Sequence, residues 1–170
     1  GIYRTGEFLA SNLYEIEPDI ITLAKGLGGG VPIGAVMTKH KEVLSAGDHG
    51  STFGGNYLST SAGLAVLDIL HPLYVNGMID ETMVYFSQKL QDMVVKYDNL
   101  FEKEVGLGLM RGLRAKSADI QSAVIQNGMK EGVIVLKAGR NTVRFLPSLT
   151  IIKNEIDEGF KRFEKAISSL

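Results

Sequence analysis

One stretch constrains this chain more than any other: Thr22-Leu23-Ala24-Lys25-Gly26-Leu27-Gly28-Gly29-Gly30-Val31-Pro32-Ile33-Gly34. The residues leading into it, Ile20-Ile21-Thr22-Leu23-Ala24, are few, mostly apolar and β-branched at the start. They follow the turn pair Pro18-Asp19 and predict a buried strand. Lys25 stands where that strand ends. A buried ammonium loses hydration, which favours the neutral amine. A neutral amine attacks carbonyl compounds and is trapped as a Schiff base. The glycines beyond it permit positive φ and close approach of other groups to the backbone. The same residues have a plainer reading, a strand-end lysine reaching solvent and a glycine-rich turn. Local chemistry leaves both open.

The rest of the composition narrows the classes. A chain of 170 residues suffices for one domain with a sizeable core, or for one domain and part of another. With 45% hydrophobic and 22% charged residues it is close to ordinary globular values, which favours neither disorder nor a membrane span. A net charge of −1, with both signs mixed along the chain, argues against nucleic acid as a partner. The absence of cysteine excludes disulfides and thiolate metal sites and agrees with a reducing compartment. His40, His49 and His71 are scattered without metal-ligand spacing, so no metal is expected. From Gly1 onward there is no basic or apolar leader, so no signal peptide is expected. A chain opening in mid-motif suggests a fragment.

Taken in order, residues 7–14 predict a short helix and residues 33–38 a second strand. Gly47-Asp48-His49-Gly50-Ser51-Thr52-Phe53-Gly54-Gly55-Asn56 is a loop rich in hydroxyl and N–H donors, suited to phosphate or carboxylate or simply mobile. Residues 58–70 are apolar on most faces and predict a buried helix. Residues 79–97 give the best helical period, with Ile79, Met83, Phe86, Leu90 and Tyr97 on one face. Residues 105–115 are strand-like. Ser117 caps a helix running to about Glu131, stopped by Gly132. Residues 133–136 and 142–146 form a hairpin in which Arg144 faces away from Val143 and Phe145. Asn154 is the expected cap of a last helix whose apolar face is Ile156, Phe160, Phe163, Ile167 and Leu170. A domain boundary near Asp98 divides the chain into 1–98 and 99–170.

Three blocks then resemble one family. The lysine block from Pro18 to Gly30 with Ile33-Gly34-Ala35, the loop His49-Gly50-Ser51-Thr52-Phe53-Gly54-Gly55-Asn56, and Gly106-Leu107-Gly108-Leu109-Met110-Arg111-Gly112 with Val143-Arg144-Phe145-Leu146-Pro147 are similar to the class III pyridoxal-phosphate-dependent aminotransferases. The resemblance runs along essentially the whole chain. It implies an α/β fold: part of the large, mainly parallel-sheet domain of a fold-type I transferase (1–98, ending in the long linking helix) and a C-terminal α+β small domain (99–170). Gly1-Ile2-Tyr3-Arg4-Thr5-Gly6 resembles a motif that in this family follows an Asp-x-x-Gln segment, whose aspartate pairs with the pyridine nitrogen. That segment is not in the chain, nor are the family's N-terminal phosphate-binding turn and ring-stacking aromatic, so the expectation is a C-terminal half. Tyr57 departs from a position where the family often has proline.

The resemblance also implies roles. Lys25 carries pyridoxal 5'-phosphate and acts as the proton-moving base. Thr52 hydrogen-bonds the cofactor phosphate of the partner subunit in a homodimer, and Ser51 touches phosphate or substrate. Arg144 grips the substrate carboxylate with its guanidinium fork; from the residues alone it is a surface strand arginine. The implied reaction moves an amino group from N-acetylornithine to 2-oxoglutarate, in cytoplasmic arginine biosynthesis. Ornithine, succinylornithine and succinyl-diaminopimelate are alternative donors, and a non-catalytic dimerisation fragment is the alternative from another class.

Overall fold

The computed structural model describes residues 1–168 and 170, in two compact units, Gly1–Asn76 and Gly77–Leu170. The division falls ahead of the long helix rather than behind it. That helix, α3 (Met78–Lys96), packs its Ile79, Met83, Phe86, Leu90 and Met93 stripe into the second unit, against β3 and β4.

In the first unit, α1 (Ala10–Leu13) is a single turn. Strands β1 (Ile20–Leu23) and β2 (Ala35–Thr38) pair antiparallel, Ile20 opposite Thr38 and Leu23 opposite Ala35. The expected buried strand is corrected here. Ile20 is 48% exposed and Val36 58%, because a two-stranded ribbon has no layer of its own to cover its faces. All strand pairings among the described residues are antiparallel; the chain carries only part of the large domain whose whole sheet is expected to be mainly parallel. The connection from β1 to β2 contains only a 3₁₀ turn (Lys25–Gly28), and parallel pairing needs a crossover of a dozen or more residues.

Helix α2 (Tyr57–Val75) follows the glycine loop. Its expected burial is also corrected. Only Ser59, Gly63 and Leu70 are buried, while Leu58, Leu64, Ile69 and Val75 are exposed. By length and composition alone α2 would suffice to cross a bilayer. Gly63 gives it its seat, since a Cβ there would lie 3.3 Å from the Ile33 side chain and 3.6 Å from the Leu27 carbonyl. At its far end the Tyr3 hydroxyl meets His71 Nδ1 at 2.9 Å, and the Tyr74 hydroxyl donates to Glu7 at 2.7 Å.

The second unit is a four-stranded antiparallel sheet in the order β3-β4-β6-β5, with α3, α4 (Ala118–Lys130) and α5 (Lys153–Ile167). Strands β3 (Phe101–Leu107) and β4 (Met110–Ala115) form one hairpin where one strand-like run was expected. Gly106 has φ 108°, and a Cβ there would meet the Met110 carbonyl, so the hairpin needs glycine. Strand β5 is only Leu136–Ala138 and pairs with β6 (Thr142–Phe145). It starts later than expected because Val133 bonds back to the Gly128 carbonyl at 2.8 Å, closing α4. Ser117 caps α4 as expected, accepting from Ile120 N–H at 3.2 Å. Asn154 is not the cap of α5. Ile152 holds that position, and its N–H donates to the Glu155 carboxylate. Leu170 lies beyond the helix and is 43% exposed. The core of the unit is aromatic: Phe145 stacks on Phe160 and meets Phe163 edge-on.

Candidate functional site

Lys25 opens the 3₁₀ turn directly after β1, with φ 54°. A left-handed lysine is strained, and such residues concentrate at functional sites. The turn is held by its neighbours: Gly29 N–H donates to the Gly26 carbonyl, and Leu27 is buried. Gly28 is packed so closely that a Cβ would lie 2.8 Å from Ile33 Cγ2. The expected desolvation of Lys25 is not built into the unit, for the residue is exposed. Among the described residues its ammonium has no carboxylate at ion-pair distance.

Lys25 faces an open cavity of about 930 Å³. Pro32, Ile33, Phe53 and Leu58 give it apolar walls, and Ser51 and Asn56 line it with polar groups. Lys25 and Ser51, 26 positions apart in sequence, thus share one concavity at the meeting of the lysine turn, the glycine loop and the start of α2. Thr52 is exposed on the same loop and is not among the lining residues.

The loop is joined to α2 through Asn56. Its Oδ1 accepts from Ser59 N–H at 3.0 Å, and its Nδ2 donates to the Phe53 carbonyl at 2.8 Å and to Ser59 Oγ at 3.0 Å. The amide orientation is fixed by chemistry, since a backbone N–H can only donate and a carbonyl can only accept. This lock was missed in the sequence, although Asn-x-x-Ser ahead of an apolar run is a legible helix start.

Arg144 lies in the second unit on β6, opposite Gly112 of β4 and Leu136 of β5. Val143 and Phe145 beside it are buried and point the other way. Its Nε is buried without a hydrogen-bond partner. A buried guanidinium N–H left unmatched carries a desolvation cost that an incoming acceptor removes. Gly112 opposite it is closely packed; a Cβ there would lie 2.5 Å from Thr142 Cγ2 and 2.7 Å from the Val143 carbonyl.

The donor set suits pyridoxal phosphate: an amine for its aldehyde, apolar walls for its ring, and a hydroxyl with glycine-loop amides for its phosphate.

A profile of the family Aminotransferase class-III matches residues 1–167. The acetylornithine aminotransferase of Wolinella succinogenes is 58% identical over 170 residues, all of this chain and 43% of that protein. The chain thus spans well under half the length of that curated relative. The solved acetylornithine aminotransferase of Elizabethkingia anophelis superposes at a TM-score of 0.87 with 29% identity, over 100% of this chain and 46% of that one. An ornithine aminotransferase from Toxoplasma gondii, described with partial occupancy of pyridoxal phosphate at its active site, gives 0.83 and 29%, over 98% and 40%. The fold is that of part of a fold-type I transferase.

Proposed function

This chain belongs to the class-III aminotransferase family, whose cofactor is pyridoxal phosphate, and from that premise we propose that it forms the lysine-bearing part of an aminotransferase. The donor is N-acetylornithine, the name carried by the relative at 58% identity, and the acceptor is 2-oxoglutarate. The reaction belongs to arginine biosynthesis in the cytoplasm, and the working form is a homodimer. Ornithine, named in a structure at 29% identity, is the weaker candidate donor. The observation that carries the reading is the shared cavity: a strained Lys25 and Ser51 face one apolar-walled space.

Bound pyridoxal phosphate supplies an aldehyde and an electron-withdrawing ring that stabilises charge left on the substrate carbon. This chain's residues do the rest. Lys25 Nζ is the amine that would hold the cofactor, and at the same atom it would hold and move a proton. Ser51 and Thr52 donate hydroxyl hydrogen bonds to the phosphate, Thr52 to that of the partner subunit. Phe53 and Leu58 give the cavity apolar surface beside the lysine. Arg144 binds a carboxylate common to both substrates, and its unmatched Nε is a donor in want of such an acceptor.

The test is covalent. Full-length protein loaded with pyridoxal phosphate, reduced with borohydride and digested, should carry the phosphopyridoxyl group on Lys25. A label on Lys39 or Lys137 instead would overturn the assignment.

A further inference from the structure

We propose that Asn56 is the positioning residue for the phosphate end of the site, fixing the Ser51 and Thr52 hydroxyls through the loop backbone. The proposal rests on the assignment of those hydroxyls made above. Among the described residues, Ser51, Thr52 and Phe53 make no side-chain hydrogen bond of their own to the rest of the unit. Their polar anchor on the helix side is the Phe53 carbonyl, held by Asn56 Nδ2 at 2.8 Å and by the Asn56 backbone N–H at 3.4 Å. Asn56 is itself tied at both ends of its amide to Ser59, which is only 6% exposed. The connection continues to the hydroxyl. Ser51 lies so close over Gly54 that a Cβ on Gly54 would come within 2.8 Å of both Ser51 Cβ and Oγ. Gly55 turns the chain at φ 69°. The Ser51 side chain thus rests on a turn whose place is set by Asn56.

Asn56 therefore combines two jobs that chemistry can separate. Capping α2 needs only an acceptor, which serine supplies nearly as well. The shorter of the two bonds to the Phe53 carbonyl needs a donor on the same side chain, which serine on its shorter stem does not offer in addition; the 3.4 Å bond from the backbone N–H stays. Asn56→Ser should leave the helix start intact and loosen the loop, which then keeps only the longer backbone bond. Gly54→Ala attacks the same coupling from the other side. Gly54 is not in the left-handed region, so alanine is allowed by the backbone and its effect falls on Ser51.

The readout is the affinity of the full-length apo-protein for pyridoxal phosphate relative to pyridoxal, which lacks the phosphate. A purely structural lesion weakens both ligands alike. The expected result is a ratio lowered about tenfold in Asn56→Ser and in Gly54→Ala, the effect of one lost hydrogen bond to a charged group. Affinity for pyridoxal should stay within about twofold on the same grounds. An unchanged ratio in both variants, with a lowered ratio in the Ser51→Ala/Thr52→Ala double variant, overturns the positioning role and leaves the phosphate assignment standing. An unchanged ratio in the double variant overturns that assignment and the proposal with it. Equal weakening of both ligands makes Asn56 merely structural and also overturns the proposal.

Discussion

The two units bury their apolar side chains very differently. In Gly77–Leu170, Ile79, Leu90, Leu113, Val124, Val143 and Phe163 are each at most 1% exposed, and sheet, α3, α4 and α5 share one core. In Gly1–Asn76 the buried apolar side chains are Ile2, Tyr3, Leu27 and Leu70. Tyr57, Leu58, Leu64, Ile69 and Val75 meanwhile stand on the exposed side of α2. Exposed apolar area of this extent marks a contact surface. The second unit has the means to be stable by itself. The first holds the lysine, the glycine loop and the cavity on elements that cover one another only in part. Stability and chemistry are thus assigned to different lengths of chain.

The largest expected effect tests that assignment directly. Residues 77–170 made alone should melt cooperatively, whereas residues 1–76 made alone should show no cooperative transition by circular dichroism. A cooperative melt of 1–76 would break the comparison. Single substitutions come next. In the full-length enzyme Lys25→Ala removes the residue proposed above as both cofactor anchor and proton carrier. Turnover should fall by about 10³-fold or more, set against the 10²–10⁴ ascribed to positioned acid–base groups alone, while the melting temperature of the apo-protein stays near that of the wild type. Phe163→Ala should do the reverse. It removes a ring packed on Phe101 and Phe145 and should cost about 3–5 kcal/mol of stability.

The stripe of α3 was readable in sequence because a helix repeating every 3.6 residues turns its apolar set to one side, and that set met a sheet in the same unit. Much of the α5 face was readable for the same reason. The exposure of β1 and α2 was not. Hydrophobicity states which residues gain by burial, not what is present to bury them. The lysine turn was legible as lysine next to glycines, but its φ of 54° was not, since the strained residue is the lysine and not one of the glycines. The cap of α5 was misplaced because Glu155 reaches back to Ile152, a residue with no polar side chain to announce it. The lone Nε of Arg144 followed from the alternation of Val143 and Phe145 only as a direction, and its burial required the structure.

A smaller effect probes the place where the second unit is expected to join the chemistry. Arg144→Lys keeps a charge and loses the planar fork. A charge-assisted contact is worth about 1.5–3 kcal/mol, so kcat/KM towards the amino donor and towards 2-oxoglutarate should each fall at least about tenfold. Both half-reactions should suffer together if, as proposed above, both substrates present a carboxylate to this one guanidinium. Unchanged efficiency for both, with cofactor content intact, would leave all the chemistry in the first unit and Arg144 as a strand residue.

The smallest effect sets two helix caps against each other. Ser117 and Asn56 make the same local bond, accepting from the N–H three residues on at 3.2 and 3.0 Å. They differ in what else depends on them. Ser117 Oγ serves α4 alone, and α4 is held on the sheet by Val124 and by Gln121, whose Nε2 donates to the Ala138 and Thr142 carbonyls. Ser117→Ala should therefore cost about 1 kcal/mol, the usual loss for a removed N-cap, seen as a lowered denaturant midpoint at constant slope. Cofactor discrimination should not change, because none of the residues lining the lysine cavity belongs to α4. If Ser117→Ala altered the preference for pyridoxal phosphate over pyridoxal as strongly as Asn56→Ser, stability in the second unit would be feeding into the site. The separation drawn between the two units would then be one of packing only, not of function.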